Sequence, residues 1–335
     1  MKTPSTPAWP LRVMLAAIFL GLWMTGCRSA LPASPPTAAW SGKLVVFHAG
    51  SLAEPVRALT AAFQAHYPGV TFQTEASGSN EAARKIRELG READLLISAD
   101  YRVIDHLLIP EFAEWNIRFA RNEMVIAYTD RSRYADEVSA DNWYEIIGRD
   151  GVICGRADPN TDPCGYRTLM VWQLAEAHYG IPGLYRTLEA RCPKAYIRPK
   201  SVELIALLQS GDVDYAFEYR SVALQHGLRF VELPPEINLG SVEYADFYGK
   251  ANVEIAGTGP GKTVTVVGEP IVYGVTIPRN APNPDLALEF VKFLIGPEGQ
   301  AMMERMGQPP IVPPTTGDRD ALPAALQPLV MEPSP

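Results

Sequence analysis

The fold is decided in residues 44–52, which read LVVFHAGSL. The apolar run at the start predicts a buried strand, and a polar loop with Gly50 and Ser51 follows it directly. Apolar side chains then recur at helical spacing, which predicts a helix from residue 52 to about residue 66. Ser51 and Glu54 have the spacing of a capping box, in which the two side chains bond amides at a helix start. This strand-loop-helix unit is typical of an α/β fold.

The same unit recurs along the chain. Its 335 residues are enough for two domains, each with its own core. Repeated strand-loop-helix units predict an α/β fold with mostly parallel strands, in which ligands bind at the loops that follow the strands. Further strand-like runs that lead into polar loops or helical patterns lie at residues 70–74, 93–97, 152–155 and 213–217.

The carboxyl-terminal part of the chain has mixed patterns. Residues 233–261 are rich in proline and glycine and predict loops with one short strand or turn. A strand at 270–277 and an amphipathic helix at 285–294 follow. The chain after 309–314 is again proline-rich, and we expect residues 316–335 to form a loose tail.

The composition excludes several classes of protein. With 47% hydrophobic and 20% charged residues, the chain is typical of a folded globular protein. Thirty basic against 38 acidic side chains give a net charge of −8 and an isoelectric point near 5.3, so we expect no nucleic-acid partner. Five histidines and four cysteines, without a CxxC or HExxH motif, argue against a protein-ligated structural metal.

The amino terminus has the pattern of a secretory signal. Lys2 and Arg12 precede an apolar run of 12 residues, which is shorter than the roughly 20 that a membrane-spanning helix needs. The sequence MTGC that ends at Cys27 resembles the lipobox of bacterial lipoproteins, in which the signal is cut before a lipid-carrying cysteine. We therefore expect residues 1–26 to be a signal peptide and residues 27–42 to be the lipidated cysteine with a flexible tether. Plain cleavage nearby and a permanent membrane span are the alternatives.

Polar groups follow four of the predicted strands, at the sheet edge where ligands bind in such folds. Hydroxyls and unpaired amides at helix starts suit an oxyanion, because the donors and the helix dipole both point at it. A purely structural interpretation is that the serines and the aspartate cap helices and that the glutamate pairs with Arg220 or Arg167. The groups are Gly50 with Ser51, Ser77 with Ser79, the turn at Asp162, Pro163 and Cys164, and Glu218.

Five longer runs resemble the tungstate/molybdate-binding proteins of the Wtp type, which are substrate-binding components of ABC importers. The resemblance covers about residues 43–314. It implies a bilobed periplasmic-binding-protein fold of type II, in which the chain crosses twice between two α/β lobes and an oxyanion is held in the cleft. The runs are HAGSL at 48–52, ADLLISADY at 93–101, DPCGYR at 162–167, DYAFEYRSVA at 214–223 and GQPPIVP at 307–313.

The resemblance also implies lobe boundaries and partners. Lobe I comprises about residues 43–122 and 272–315, and lobe II comprises about residues 123–271. We expect a monomeric, extracytoplasmic binding protein that delivers tungstate or molybdate to an ABC permease and its ATPase. We expect it to need no cofactor and to have no enzymatic activity.

The family pattern assigns the hydrogen-bond donors of lobe I. Ser51 and Ser79 donate to the oxyanion, and Gly50 and Ser77 are weaker neighbours. The match is looser at Ser77, where a small residue without a hydroxyl also fits the pattern.

Lobe II supplies carboxylates in the same pattern. The turn at Asp162, Pro163 and Cys164 contributes, with the Cys164 amide as the expected contact. Asp162 and Glu218 ligate the molybdenum or tungsten directly and expand its shell from four to six oxygens. Sulfate or phosphate would instead be repelled, by about 1 kcal/mol per unit pair at 4 Å in water and several-fold more in a cleft. The carboxylates thus predict specificity through repulsion of the wrong anions.

Two other functions stay open. One is a binding protein for another small oxyanion such as sulfate. The other is an extracytoplasmic hydrolase with Cys164 or Ser51 as its nucleophile, although no motif places a general base beside either residue. The sequence also leaves open the pairing of Cys154, Cys164 and Cys192, and the preference between tungstate and molybdate.

The lipobox predicts a mature protein that begins at Cys27. We expect mass spectrometry of the membrane fraction to show a lipid-modified Cys27 at the amino terminus, and the Cys27→Ala variant to leave that fraction. An unmodified amino terminus near residue 27 would support plain cleavage instead, and retention of residues 1–26 would support a permanent span.

Overall fold

The computed structural model describes residues 40–259 and 261–332. The predicted signal peptide, Cys27 and nearly all of the tether lie outside these residues. Within them, no helix combines the length and the apolar character that crossing a bilayer requires.

The described residues form thirteen strands and eleven α-helices. The strands are β1 (Ser41–Ala49), β2 (Gly69–Ser77), β3 (Leu95–Ser98), β4 (Ile117–Arg121), β5 (Met124–Tyr128), β6 (Cys154–Ala157), β7 (Ile197–Arg198), β8 (Tyr215–Tyr219), β9 (Arg229–Glu232), β10 (Asn252–Ala256), β11 (Thr263–Val267), β12 (Val272–Thr276) and β13 (Pro310–Thr315). The α-helices are α1 (Ala53–His66), α2 (Ser79–Arg87), α3 (Tyr101–Leu107), α4 (Trp143–Gly148), α5 (Pro163–Tyr179), α6 (Leu184–Arg191), α7 (Leu204–Ser210), α8 (Arg220–Gln225), α9 (Ala245–Tyr248), α10 (Pro284–Ile295) and α11 (Pro297–Arg305).

Lobe I is built on a six-stranded sheet with the order β13-β4-β12-β3-β1-β2. Strand β1 lies parallel between β2 and β3, and alternate side chains such as Leu44 and Val46 are fully buried. Phe63 of α1 and Phe290 of α10 join the same core, with ring centroids 5.2 Å apart in an edge-to-face arrangement. Apolar burial therefore fixes which face of β1 is turned to this core.

Lobe II is built on a five-stranded sheet with the order β7-β6-β8-β5-β9. Helix α5 is buried on nearly all sides, as expected of a central helix. Its Trp172 packs edge to face on Phe217 of β8 at 5.6 Å between ring centroids. A disulfide joins Cys154 and Cys192, which leaves Cys164 as the free thiol among the described cysteines.

The prediction of mostly parallel strands is wrong, because both sheets are mixed. The strands of the strand-helix units are parallel, whereas β5 in lobe II and β12 in lobe I run antiparallel to their neighbours. These are the first strands after each crossing between the lobes. A chain that enters a lobe at the cleft must run away from it, while the strands of the units run toward the cleft.

The region 233–261 is more regular than the sequence predicts. It contains α9 and β10, and β10 pairs with β11 as an antiparallel hairpin. The hairpin contacts lobe I, where Nη2 of Arg84 donates to the Ala256 carbonyl oxygen at 2.6 Å. The alternating burial along β10 is a strand signal that the many glycines around it obscure.

The predicted loose tail is also wrong over residues 316–332, and residues 333–335 lie outside the described part. Leu322, Leu326 and Val330 are buried in the main core. The backbone amide of Thr316 donates to the carbonyl oxygen of Met331 at 2.9 Å. Apolar anchors at a spacing of four residues hold this segment in place despite its prolines.

The two lobes meet at the carboxyl ends of their strands. Gly78, directly after β2, lies so close to the backbone of Thr161 in lobe II that a Cβ atom there would overlap the Thr161 carbonyl oxygen. The same oxygen accepts a hydrogen bond from the amide of Glu81 at 3.3 Å. The φ angle of Gly78 is −63°, which any residue adopts, so the close approach and not the backbone conformation requires glycine here.

We therefore expect Gly78→Ala to push the lobes apart, because the overlap costs about 1–3 kcal/mol. Small-angle X-ray scattering should show a larger radius of gyration than in the wild type. Gly148→Ala is the matched control, since a Cβ atom there meets no atom within 4 Å. Identical scattering from Gly78→Ala and the wild type would contradict the close approach of the lobes.

Candidate functional site

Two loops of lobe I end side by side at the cleft. Because β1 and β2 are parallel neighbours, Ala49 at the end of β1 pairs with Ser77 at the end of β2. A 3₁₀ turn over Gly50–Leu52 then leads into α1, and α2 starts at Ser79. The structure thus buries together the four residues predicted from lobe I, which are Gly50, Ser51, Ser77 and Ser79.

Ser51 does not cap a helix, so the predicted capping box is wrong. The 3₁₀ turn moves the N-cap position of α1 to Leu52, which makes no side-chain cap. Ser51 Oγ instead lies 3.1 Å from the hydroxyl oxygen of Tyr273 in the cleft. Glu54 bonds Arg57 on the surface of the helix. The hydroxyl of Ser51 is therefore turned toward Tyr273 of β12 and not toward the first turn of α1.

The hydroxyls of Ser77 and Ser79 retain hydrogen-bonding capacity. Ser79 Oγ accepts from the Ala99 amide at 2.9 Å, which uses its acceptor and not its proton. Ser77 Oγ is buried without a partner among the described residues. The interpretation of Ser79 as a cap is wrong, since Gly78 holds the N-cap position of α2. Buried hydroxyls without partners cost about 1–3 kcal/mol each, which is typical of a site that receives a ligand.

Asp162 caps α5 as the sequence predicts, with Pro163 in the first turn. Its Oδ1 accepts from the Cys164 amide at 2.9 Å, and its Oδ2 accepts from the Ser201 amide at 3.0 Å. The Cys164 amide proton is therefore donated to Asp162 and not left for a ligand. Each carboxylate oxygen has a second lone pair, so this cap is compatible with a further bond to a ligand.

Glu218 has no cationic partner in the described part of the chain. It is fully buried near the end of β8, where Oε2 accepts from the Tyr219 amide at 2.9 Å and Oε1 has no partner. The alternative of an ion pair with Arg220 or Arg167 is wrong, because both arginines pair with other carboxylates.

Burial raises the pKa of both carboxyl groups. Loss of solvent raises the pKa of Asp162 to about 6, against the opposing effect of the Ser201 and Cys164 amides. Loss of solvent raises the pKa of Glu218 to about 8, and the neighbouring Asp162 carboxylate adds to the rise. An electron-accepting atom placed between the two carboxylates would stabilise both charged forms.

The geometry opposes the hydrolase alternative. Cys164 Sγ is buried and donates to the Phe217 carbonyl oxygen at 3.5 Å. Burial, followed by the carboxylates of Glu218 and Asp162, raises the pKa of this thiol well above its usual value, whereas a nucleophilic cysteine must be a thiolate. Ser51 meets a tyrosine hydroxyl and not a general base.

The loops of the two lobes face each other in pairs. Gly78 lies against Thr161, next to Asp162, and Gly50 lies against Val202, with 3.1 Å between an added Cβ atom and Cγ2 of the valine. The serines that flank these glycines therefore share one interface with Asp162 and with Ser201, which precedes Val202.

Three groups at this interface are missing from the sequence-based prediction. Ser201 is fully buried, and its hydroxyl lies near Glu218 without a hydrogen bond of normal geometry. Gln308 donates from Nε2 to the Ser51 carbonyl oxygen at 3.0 Å, while its Oε1 has no partner among the described residues. The hydroxyl of Tyr273 accepts from Nδ2 of Asn122 at 2.8 Å.

The sequence contains a signal for only one of these groups. Gln308 belongs to the run at 307–313 that resembles the family. Ser201 precedes a helical pattern and therefore looks like a helix cap, and Tyr273 lies inside an apolar strand.

Comparisons with known proteins give consistent matches. The family model for bacterial extracellular solute-binding proteins matches residues 44–308. An uncharacterised solute-binding protein of Petrotoga mobilis is 53% identical over 287 residues, which cover 86% of this chain and 89% of that protein. The molybdate/tungstate-binding protein WtpA of Thermococcus kodakarensis is 41% identical over 329 residues, which cover 90% of this chain and 92% of that protein.

Among solved structures, the periplasmic molybdate-binding protein of Azotobacter vinelandii has the same fold. The TM-score is 0.58 at 16% identity, over 79% of this chain and 98% of that chain. At this identity the similarity concerns the fold alone. It confirms the predicted bilobed periplasmic-binding-protein fold with two α/β lobes.

The raised pKa values predict how stability depends on pH without a ligand. The pKa of Glu218 rises from 4.5 to about 8 on folding, so the folded protein binds more protons than the unfolded chain in this interval. The contribution of Glu218 is favourable below about pH 4.5 and is lost as the pH rises to about 8. We expect Glu218→Gln to unfold at the same urea concentration as the wild type at low pH, and to be more stable by about 1–3 kcal/mol at pH 8.

Glu232→Gln is the control for this comparison, because its side chain is exposed on β9, the edge strand of the same sheet. It should follow the wild type at both pH values. A Glu218→Gln variant that is less stable than the wild type at pH 8 would show that other groups of the folded protein stabilise the charged Glu218 carboxylate.

Proposed function

This chain belongs to the bacterial extracellular solute-binding protein family, and from that premise we propose that it captures molybdate or tungstate between its lobes and delivers the oxyanion to an ABC importer. Its relatives are binding proteins and not enzymes. The proposal concerns the cargo, the residues that hold it and the route of delivery.

The choice of cargo rests on one observation, which is that Asp162 and Glu218 are buried carboxylates without a cationic partner among the described residues. In their charged forms, Asp162 and Glu218 would repel an anion that is held by hydrogen bonds alone, since the repulsion grows several-fold from water to a closed cleft. The central atom of molybdate or tungstate accepts additional oxygen ligands, so the same carboxylates bind these ions. Sulfur in sulfate has no open coordination position, and sulfate is therefore disfavoured.

We assign the ligands by the hydrogen-bonding or coordinating capacity that each group retains after its contacts within the fold. Asp162 and Glu218 bond the metal of the oxyanion, with Oε1 of Glu218 as the oxygen that has no other partner in the described part of the chain. Ser77 and Ser79 donate from hydroxyls whose protons are not used inside the fold. Ser51 lines the same space beside Tyr273.

We assign an indirect role in binding to Gly50, Pro163 and Cys164. Gly50 permits the close approach of the segment at residues 200–202, and its side-chain position is filled by Val202. Pro163 and Cys164 shape the first turn of α5, which aims Asp162 at the cleft. Their contribution to binding is therefore indirect.

The names of relatives agree with this cargo. WtpA proteins of Thermococcus kodakarensis and Pyrococcus abyssi, each 41% identical to this chain, are molybdate/tungstate-binding proteins. We propose the same class of ligand here, in a cleft between residues 43–122 with 272–315 and residues 123–271. Closure about the two crossings would bury the ligand before delivery to the permease. Lipidation at Cys27 would keep the protein at the membrane.

Calorimetric titration tests the cargo. We expect tungstate and molybdate to bind tightly and sulfate to bind much more weakly. Glu218→Gln should lower the affinity for tungstate by about 30-fold or more, because a buried charged contact is worth 2 kcal/mol or more. Tightest binding of sulfate would overturn the choice of cargo.

Asp214→Asn is the matched control in the same titration. Asp214 is a buried carboxylate directly before β8, but it pairs with Arg133. This variant should retain the tungstate affinity of the wild type. Unchanged affinity in Glu218→Gln would show that this carboxylate is not a ligand.

A further inference from the structure

Arg167 is a buried cation that crosses from lobe II to lobe I. It stands in α5, five residues after Asp162, and only 2% of its surface is exposed. Nη1 donates to the Ala99 carbonyl oxygen of lobe I at 2.8 Å, and Nη2 lies 3.1 Å from Oδ2 of Asp100. Nη1 also donates to the hydroxyl of Tyr219 at 2.7 Å, and Tyr219 follows Glu218 in the chain.

Asp100 is the lobe I partner of this contact. It is fully buried at the N-cap of α3, where Oδ1 accepts from the Arg102 amide at 2.9 Å. Its Oδ2 also accepts from the hydroxyl of Tyr166, the neighbour of Arg167 in α5, at 2.6 Å. Two consecutive residues of lobe II thus converge on one carboxylate of lobe I.

Arg102 extends the contact to the segment that leads back into lobe I. Its Nη1 donates to the Val267 carbonyl oxygen at 2.7 Å, and its Nε lies 2.9 Å from Oε1 of Glu269. Asp100 and Glu269 balance the charges of Arg102 and Arg167, so this cluster is electrically neutral. Within the residues that the structure describes, Asp162 and Glu218 have no such cationic partner.

We propose that Arg167 and Asp100 form an interlobe latch that holds the lobes closed around the ligand, with Arg167 as a positioning residue for Asp162 and Glu218. The inference rests on the proposed function for the identity of the ligand. Closing the lobes brings Arg167 against Asp100. In that position the arginine also bonds the hydroxyl of Tyr219, which follows Glu218, and it fixes α5, the helix that Asp162 caps. Opening separates Arg167 from Asp100 and removes the constraint on the positions of Asp162 and Glu218.

Burial alone would raise the pKa of Asp100, but Arg102 and Arg167 lower it far below its usual range. The aspartate therefore stays charged throughout the physiological range of pH. Removal of one partner leaves the other charge buried and uncompensated, which favours opening.

The test is the rate at which tungstate leaves Asp100→Asn, measured by stopped-flow competition. Coupling between closure and binding typically changes a constant by about 5- to 150-fold, and we expect an acceleration of dissociation in this range with little change in association. Tyr166→Phe removes only the hydroxyl donor to Asp100 and should accelerate dissociation less. It keeps the test valid if Asp100→Asn does not fold.

Asp94→Asn is the matched control. Asp94 is also fully buried beside β3, but it accepts from the amides of Val45 and Asn283 inside lobe I. It should lower stability without an effect on dissociation. Equal acceleration in Asp94→Asn and Asp100→Asn, or unchanged dissociation in both Asp100→Asn and Tyr166→Phe, would overturn the latch.

Failure of the proposed function has a different signature. If the wild type does not bind tungstate or molybdate, the cargo is wrong, and scattering from the ligand-free protein tests the latch by itself. Asp100→Asn should then have a larger radius of gyration than both the wild type and Asp94→Asn. Equal radii in all three proteins would overturn the latch as well.

Discussion

The site depends on two buried carboxyl groups that no cation of the described residues neutralises. Asp162 and Glu218 are almost completely removed from solvent, yet neither forms an ion pair among the described residues. Arg167 is a nearby cation, but it forms its ion pair with Asp100 of lobe I. The protein thus neutralises the charges that join its lobes and leaves the two carboxyl groups at the cleft without a cation among the described residues, so that burial raises their pKa values. Such an arrangement is costly unless an electron-accepting centre enters it.

The fold brings these groups together through strand direction. The strands of the strand-helix units all end at the cleft, so their following loops present amides, hydroxyls and carboxylates to one space. The strands that enter a lobe from the cleft run in the opposite direction, and β12 thereby places Tyr273 beside Ser51. Close approach of the loops then depends on glycine at positions 50 and 78, where a side chain would meet the other lobe.

Local pattern was enough to predict most elements and the places where polar groups follow strands. The loop with Gly50 and Ser51, the cap at Asp162 and the strand end at Glu218 all lie where the sequence predicts. Other features could not be predicted in this way. The predicted capping box does not form, because a 3₁₀ turn directs Ser51 into the interior. The direction of β5 and β12 follows from the crossings between the lobes, which no local sequence pattern indicates. Ser201 and Tyr273 resemble an ordinary cap and an ordinary core residue, since their contacts are made by chain segments far away in sequence.

X-ray absorption at the tungsten L3 edge of the tungstate-saturated protein tests the central claim most directly, because it counts the oxygen atoms bonded to the metal. Direct bonds from Asp162 and Glu218 predict a shell of six oxygens, two more than in the free oxyanion. A shell of four oxygens with unchanged distances would contradict the account, since the two carboxylates would then face the ion without bonding it.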